Sequence, residues 1–172
     1  MNDTQVYVRV ATSLDRDKLR GMFSRTSPET IYGRFHLPYL EVPEWMMSLM
    51  LAIDHHHNEA LVAVAEEKII GHAMYVRLEN ITEAEMAIIV EDDWQSKGVG
   101  KSLLSELDER ARLRGIDTFI GEVLGSNRRM LGLAAMFPGA DHTIEDGVCR
   151  VRMPLQTPAS AVHTARPLRR AA

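Results

Sequence analysis

The sequence predicts an α/β protein of the α+β kind, in which helices flank a mixed, mostly antiparallel sheet of six or seven strands. Three observations support this prediction. Apolar runs of strand length recur along the chain, and some of them are separated by segments whose apolar residues are spaced as in a helix. Two of these runs also meet at Glu66, Glu67 and Lys68, as the arms of a hairpin do. The expected order is strand, helices, three strands, helix, strand, helix and two strands.

The N-terminal part of the chain should begin with one strand and two helices. Alternating valines over residues 6–10 indicate a half-buried strand. Ser13 is expected to cap a helix that runs to about Phe23. Ser27 followed by Pro28 predicts the next helix, because serine is favoured at the N-cap and proline at the first helical position.

The central part of the chain should contain a third helix, three strands and a long helix. The third helix is expected after Pro43, and its apolar residues fit a core stripe better than a cofactor site. Apolar runs on both sides of residues 66–68 predict an antiparallel hairpin, and residues 85–90 predict another strand. Helical spacing then continues to Arg114, where Gly115 is a suitable left-handed stop.

The C-terminal part should add a strand, a short helix and a final hairpin. Residues 117–124 have the pattern of a strand, and a helix is then expected to end at about Met136. Either Ser126 or Asn127 could cap that helix. The pair Asp146-Gly147 indicates a turn between two last strands.

Length and composition favour one domain in a reducing compartment. A chain of 172 residues can bury a sizeable core but is short for two domains, so we expect one domain over residues 1–154. Residues 155–172 lack periodicity and predict a flexible tail. Cys149 is the only cysteine and is expected to be a half-buried strand thiol. No long apolar run or leader is visible, so a cytoplasmic protein without a membrane partner is expected.

The charge of the chain argues against general binding of nucleic acid. The net charge is −4, and residues 155–172 hold three arginines and no acid. The rest of the chain is therefore more acidic than the whole. An acidic surface repels the phosphate backbone, so we expect no nucleic-acid partner.

The glycine-rich stretch WQSKGVGKSLL, residues 94–104, suggests three kinds of phosphate-binding loop. A Walker A loop would need a glycine where Gln95 stands, and a dinucleotide fingerprint would need one at Leu103. The pattern Gln/Arg-x-x-Gly-x-Gly is complete, with Gln95, Gly98 and Gly100. Only this third pattern has all of its residues.

The position of this loop favours an anionic ligand. An apolar strand ends at Val90, and an amphipathic helix is expected to start at Gly100. The first turn of a helix has N–H groups without intrahelical acceptors, and the helix dipole favours an anion there. Glycine lets a pyrophosphate approach such a backbone closely.

With this loop and its context, the chain resembles the GNAT (Gcn5-related) N-acetyltransferase superfamily over roughly residues 6–154. The segments SRTSPETIYGRF, AEMAIIVEDDWQSKGVG, LRGIDTF and VLGSNRRM are similar, more narrowly, to bacterial protein lysine acetyltransferases of the Pat type. The resemblance implies the GNAT fold and acetyl-CoA as co-substrate.

The resemblance also implies which residues contact the coenzyme. Backbone amides from Gln95 to Gly100 would hold the pyrophosphate, and exposed backbone near residues 88–90 would pair with the pantetheine arm and meet the oxyanion. Lys97 and Lys101 would add positive charge, unless they are simply solvated. Asn127 matches the family's asparagine before the last helix, unless it only caps that helix. The full set is Ile88, Ile89, Val90, Gln95, Ser96, Lys97, Gly98, Val99, Gly100, Lys101 and Asn127.

The resemblance to the Pat type assigns the general base to Glu85. A lysine amine has a pKa of about 10.4, so only about one in two thousand is uncharged at neutral pH, and a base must remove the proton. Glu85 could instead be a solvated residue beside Glu83, on the same strand face. Many relatives have a tyrosine acid where Ala134 stands here. Either the thiolate leaves without an acid or another group serves, and neither His142 nor Cys149 is assigned that role.

Three further interpretations concern metal, acceptor and assembly. His55, His56 and His57 cannot all point one way in a helix or strand, so a loop is expected there and no metal. The expected acceptor is a lysine of another protein, and the Pat resemblance implies an acyl-CoA synthetase; a small amine and a non-catalytic acyl-CoA sensor are the alternatives. A flat, acidic, open groove would suit a peptide, and a deep pocket would suit a small amine. A homodimer is possible, as pairing through the last strands occurs in the superfamily.

Overall fold

A computed structural model describes residues 5–79 and 82–155 and confirms the predicted fold class. Seven strands form one sheet in the order β1-β2-β3-β4-β5-β7-β6. All neighbouring strands are antiparallel except β4 and β5, which are parallel. The elements in chain order are β1 Val6–Val10, α1 Arg16–Arg25, α2 Pro28–Phe35, α3 Glu44–Met50, β2 Asn58–Ala65, β3 Lys68–Arg77, β4 Glu83–Val90, α4 Val99–Leu113, β5 Thr118–Leu124, α5 Arg128–Ala134, β6 Asp141–Glu145 and β7 Val148–Pro154.

Helices cover both faces of the sheet. Buried side chains of α1, α2 and α3 pack on one face, which we call the α2 face. Buried side chains of α4 and α5 pack on the other, which we call the α4 face. Because side chains alternate along a strand, residues 83, 85, 87 and 89 of β4 belong to the α2 face, and the residues between them belong to the α4 face.

The start of α1 differs from the prediction that Ser13 caps it. Ser13 is instead the first residue of a short 3₁₀ turn whose N-cap is Thr12. The buried carboxylate of Asp15 accepts the Thr12 N–H at 2.8 Å and both terminal nitrogens of Arg9 at 2.7 Å. The prediction was wrong because Thr12 and Asp15 form a capping box one residue earlier, and Arg9 of β1 adds an ion pair to the Asp15 carboxylate.

The predicted turns are confirmed by their backbone angles. Glu66 and Glu67 join β2 and β3 with φ of 47° and 63°. Gly115 follows α4 with φ of 76°, which is the left-handed stop expected there. Asp146 and Gly147 join β6 and β7 with φ of 49° and 80°. Positive φ at both central residues suits the twist of an antiparallel pair.

The end of the described chain bears on the predicted tail. Leu155 was assigned to the tail, but it is buried and donates its N–H to the Asp117 carbonyl at 2.7 Å. The rest of the predicted tail, residues 156–172, lies outside the described residues. Within residues 5–79 and 82–155, no helix has the length and apolar character needed to cross a membrane.

Candidate active site

The parallel strands β4 and β5 separate along most of their length. Their register covers only three pairs, from Glu83 with Thr118 to Glu85 with Ile120. Beyond this point β5 continues to pair with β7 as far as Leu124, while β4 continues to pair with β3 as far as Val90. The result is a V-shaped opening at the C-terminal half of β4.

Alternating backbone groups of β4 face this opening. The N–H of Glu91 donates to Ile70 on β3, so by alternation the peptide groups of Ile89 also face β3 and those of Ile88 and Val90 face away from it. The expectation of exposed backbone over residues 88–90 therefore narrows to Ile88 and Val90. The N–H and C=O of Ile88 and the N–H of Val90 are placed to pair with an extended ligand lying in the opening, whereas the Val90 carbonyl accepts from Gln95 Nε2 at 3.0 Å.

The loop between β4 and α4 turns through two residues with positive φ. Ser96 has φ of 59°, and Gly98, the N-cap of α4, has φ of 86° and ψ of −7°. No side chain of the described residues caps this helix, and its first internal hydrogen bond runs from Ser102 N–H to the Gly98 carbonyl at 3.0 Å. The N–H groups before Ser102 are therefore the ones that can bind an anion.

Gln95 has a structural part in this loop. Its N–H donates to the Asp92 carbonyl at 3.2 Å, so it belongs to a short 3₁₀ turn rather than to the outward amides. Its side-chain Nε2 donates to the Val90 carbonyl at 3.0 Å and to Thr30 Oγ1 at 3.1 Å. Gln95 thus fastens the loop to the end of β4 and to α2.

Asp92 fastens the same loop to the start of α2. Its carboxylate accepts the Ser27 N–H at 2.7 Å, the Ser27 hydroxyl at 2.8 Å and the Thr30 hydroxyl at 2.7 Å. Ser27 also caps α2, as predicted, by accepting the Thr30 N–H at 3.2 Å. Burial acts to raise the pKa of Asp92, and the hydrogen bonds outweigh it and lower the pKa.

The remaining loop residues divide into exposed and packed ones. The side chains of Lys97 and Lys101 are exposed, and Lys97 Nζ lies 5.4 Å from the centre of the Trp94 ring. Val99 is buried in the core. A Cβ built on Gly100 would lie 3.1 Å from Leu133 Cδ1, so α4 and α5 approach closely at this glycine.

Asn127 is the N-cap of α5, and the helix ends at Ala134 rather than near Met136. Its Oδ1 accepts the Met130 N–H at 3.1 Å. Its Nδ2 lies 3.5 Å from a Cβ built on Gly33, which places the amide between α5 and α2. The capping role is therefore present, and the amide nitrogen remains for a second partner.

Glu85 lies at the point where β4 and β5 separate. Its side chain is exposed on the α2 face, and within the described part of the chain it forms no ion pair. Glu83 on the same strand face is paired with Arg152. Glu85 is thus the available carboxylate next to the opening.

Arg34 of α2 was not singled out from the sequence. Its Nη2 lies 3.9 Å from Met74 Sδ, and its buried Nε has no hydrogen-bond partner among the described residues. Burial lowers the pKa of Arg34 to about 10, and the attraction of Glu85 opposes that shift. An arginine in an amphipathic helix usually indicates a solvated position, so the pattern gave no reason to select it.

Other candidates lie away from Glu85. Cys149 is buried on the α4 face, more completely than the half-buried thiol predicted. His142 pairs in register with Val151, which places it on the same face as Cys149 and opposite to Glu85. Ala134, at the family's tyrosine position, is buried in the core.

The histidine run lies in the loop before β2, as predicted. His55 Nδ1 lies 3.1 Å from the buried Glu59 carboxylate, and His57 Nδ1 lies 3.3 Å from Asp54. The Asp54 carboxylate also accepts three backbone N–H groups, from His56, His57 and Asn58. Among residues 5–79 and 82–155, no group of three or more His, Cys, Asp or Glu side chains is arranged to hold a metal.

Known proteins with similar sequences are acetyltransferases. Residues 19–137 match the Acetyltransferase (GNAT) family. The chain is 26% identical over 132 residues to an acetyltransferase of Pseudomonas aeruginosa, across 74% of this chain and 71% of that protein. It is 31% identical over 107 residues to the acetyltransferase Pat of Mycolicibacterium smegmatis, across 60% of this chain and only 32% of that longer protein.

Solved structures show the same fold. The GNAT domain of S. lividans PAT is 30% identical, with a TM-score of 0.81 over 87% of this chain and 90% of that domain. YncA of Salmonella typhimurium, crystallised with its cofactor acetyl-CoA, has a TM-score of 0.69 over 90% of this chain and 96% of its own. At 16% identity, the second likeness concerns the fold.

Proposed function

Because the chain belongs to the GNAT family of acetyltransferases, we propose that its acceptor is the side-chain amine of a lysine in another protein. The chain is an acyltransferase, and acetyl-CoA is its co-substrate. The observation that carries the proposal is the exposure of Glu85 on the sheet beside α2. A lysine on a folded protein can reach a base in that position, whereas small ligands are usually enclosed in a pocket.

The residues of the opening fit the coenzyme. When bound, acetyl-CoA supplies the acetyl group as a thioester. N–H groups of residues 96–101 are proposed to hold its diphosphate, with charge added by the exposed Lys97 and Lys101. The peptide groups of Ile88 and the N–H of Val90 are proposed to pair with the pantetheine arm, and Asn127 contributes its Nδ2.

Glu85 is proposed to act as the general base, directly or through a water molecule. It takes a proton from the acceptor ammonium, and the neutral amine then forms the N–C bond with the acetyl carbon as the C–S bond breaks. The nitrogen releases its second surplus proton to solvent water, which leaves a neutral amide. The electron pair of the C–S bond leaves on sulfur. Ala134 offers no proton there, and a thiol pKa of about 8.5 makes departure as a thiolate tolerable.

The surface around Glu85 differs from the acidic groove expected for a peptide acceptor. Glu83 is paired with Arg152, and Glu122 is paired with Arg150 at 3.2 Å, so charges of both signs lie there. A mixed surface suits a folded acceptor whose own charges alternate around the target lysine. The likeness to Pat-type enzymes supports an acyl-CoA synthetase as the first acceptor to test. A cytoplasmic location belongs to the same proposal.

A proteome-labelling experiment tests the acceptor class. The protein is incubated with acetyl-CoA and a bacterial extract, new acetyl-lysines are identified by mass spectrometry, and thiol release is followed in parallel with polyamines and aminoglycosides. Newly modified protein lysines support the proposal. Thiol release with small amines alone contradicts it, and tight acetyl-CoA binding without any transfer would indicate a sensor.

Substitution of Glu85 tests the base. Glu85→Gln keeps the shape of the side chain and removes its ability to accept a proton, so we expect kcat/KM to fall about 100-fold or more. Glu83→Gln, two residues earlier on the same strand face, is the matched control and should retain activity. Wild-type turnover by Glu85→Gln across pH 6 to 9 would remove the assignment.

A further inference from the structure

Arg25, the last residue of α1, binds a carboxylate at the end of β4. Its Nε lies 3.0 and 3.2 Å from the two carboxylate oxygens of Glu91, and its Nη2 lies 3.0 Å from Glu91 Oε2. A charged pair joined through two nitrogens is stronger and more directional than a neutral hydrogen bond. The Glu91 side chain is 9% exposed and the Arg25 side chain 36% exposed. The carboxylate is therefore shielded from water and depends on the arginine for its hydrogen bonds.

The same guanidinium joins three elements of the fold. Its Nη2 also donates to the Ile69 carbonyl of β3 at 2.9 Å, and its Nη1 donates to the Gly21 carbonyl of α1 at 2.7 Å. All three guanidinium nitrogens are thus engaged, which the planar fork of arginine permits and the single nitrogen of lysine does not. Arg25 therefore fastens the end of β4 to β3 and to α1.

The backbone ladder is weak at the place where Arg25 binds. The β3–β4 register ends with the pair of Gly71 and Val90, and the β2–β3 register shifts close by. Past that last pair, Glu91 donates its N–H to the Ile70 carbonyl at 2.9 Å. The ion pair of Arg25 with Glu91 reinforces this final backbone bond between β3 and β4.

Glu91 lies between the two backbone segments proposed to bind the coenzyme. Val90, the residue before it, directs its N–H into the opening. The Glu91 carbonyl accepts the Trp94 N–H at 2.8 Å and so begins the 3₁₀ turn that leads to the loop before α4. A shift of Glu91 would therefore displace both the amide proposed for the pantetheine arm and the loop proposed for the diphosphate.

Arg25 holds β4 on the side away from β5. In the sheet, β4 lies between β3 and β5, and its pairing with β5 stops at Glu85. Unpaired strand edges tend to pair with a neighbouring strand, so the end of β4 has a tendency to close onto β5. Asp92 and Gln95 bind this loop to α2 and to β4 itself, whereas Arg25 binds it to β3 and α1. The contact of Arg25 thus opposes closure of the opening.

We propose that Arg25 is a positioning residue for acetyl-CoA binding. It keeps the end of β4 against β3, so that the opening and the loop before α4 have their binding shape before the coenzyme arrives. The inference rests on the proposed placement of the coenzyme on Val90 and residues 96–101. When the binding-competent shape is only partly populated, the apparent dissociation constant rises in the same proportion.

The test compares Arg25→Met, the double variant Arg25→Met with Glu91→Met, and the matched control Arg9→Met, all in the full chain. Arg9 also binds a buried carboxylate through two nitrogens, that of Asp15, and the exposed fractions of 34% and 5% are close to those of the first pair. Its pair lies before α1, away from β4. For each protein we would measure the dissociation constant for acetyl-CoA by calorimetry, the unfolding temperature, and the exchange of backbone amides by NMR.

The expected pattern separates positioning from general stability. Arg25→Met should raise the dissociation constant for acetyl-CoA about tenfold and speed exchange of the Glu91 N–H about tenfold in the free protein. It should also lower the unfolding temperature by about 5–10 °C, because Glu91 is left buried without its partner. The double variant should recover most of that temperature but keep the weak binding, since an apolar pair makes no directional bonds to β3 and α1. Arg9→Met should lose a similar unfolding temperature and bind acetyl-CoA as the wild type does.

Different results overturn the inference and the proposed site. If Arg25→Met binds acetyl-CoA as tightly as the wild type, or if Arg9→Met weakens binding equally, Arg25 has a structural role alone and the inference fails. The inference also fails if the double variant regains wild-type affinity together with its stability. The site is tested in the wild type, where acetyl-CoA should slow exchange of the Val90 N–H. Unchanged exchange there would overturn the placement of the coenzyme, and the inference with it.

Discussion

The Gly98→Ala substitution tests whether the loop before α4 needs a left-handed residue. Gly98 has φ of 86°, and a Cβ built on it meets no atom within 4 Å. The added methyl group therefore has room, and the cost is backbone strain alone. For a residue with a Cβ, that conformation costs about 1–2 kcal/mol, equivalent to a factor of roughly 5–30 in an equilibrium constant.

This strain should be divided between stability and coenzyme binding. If the loop keeps its shape in Gly98→Ala, the protein loses about 1–2 kcal/mol of unfolding free energy, or roughly 2–8 °C in Tm, and binds acetyl-CoA normally. If the loop relaxes, the dissociation constant rises instead. We therefore expect the loss in unfolding free energy, measured with urea, and the loss in acetyl-CoA binding free energy, measured by calorimetry, to add up to about 1–2 kcal/mol.

Gly132→Ala is the matched control. A Cβ on Gly132 also meets no atom within 4 Å, but this glycine lies inside α5 without a positive φ. Alanine should therefore stabilise the protein by about 0.5–1 kcal/mol. The reasoning is refuted if Gly98→Ala matches the wild type in both stability and affinity.

Two further substitutions test the anchor of the loop before α4 and the buried ion pair at the start of α1. Asp92→Ala removes three hydrogen bonds to Ser27 and Thr30, so we expect a loss of about 1–2 kcal/mol in urea unfolding and weaker acetyl-CoA binding by calorimetry; equal affinity would show that the loop does not depend on this anchor. The Arg9 hydrogen bond, with other partners, lowers the pKa of the buried Asp15. The Asp15 carboxylate therefore stabilises the fold at pH values above the pKa of this group in the unfolded chain. That stabilisation is lost as the pH falls through the lower pKa that Asp15 has in the folded protein. Asp15→Asn should lower the free energy of unfolding by about 3 kcal/mol at pH 7. It should also weaken the dependence of that free energy on pH at acidic pH, and an unchanged pH dependence would contradict the reasoning.

The fold could be predicted from the sequence because its signals are local. Alternating valines, the Ser27-Pro28 pair and the Asp146-Gly147 turn each act within a few residues, and the structure confirms them. The start of α1 was mispredicted although Thr12 and Asp15 have the local spacing of a capping box; the contact that Arg9 adds to Asp15 comes from a different element. Contacts between elements are not visible in a local pattern.

The same limit applies to the site. The glycine loop could be located from its spacing, but the separation of β4 from β5 depends on hydrogen bonds that are absent after Glu85, which no residue type encodes. The side chain of Gln95 matched a motif, yet its bonds to Thr30 and Val90 are tertiary. Arg34 could not be selected from a local pattern either, because its contact with Met74 lies between α2 and β3.

A crystal structure of the protein with acetyl-CoA tests the central claim most directly. We predict that the diphosphate oxygens lie about 3 Å from backbone nitrogens of residues 98–101, with the thioester in the opening between β4 and β5 next to Glu85. A diphosphate bound elsewhere, or an α4 whose first amides turn away from it, would contradict the proposed site.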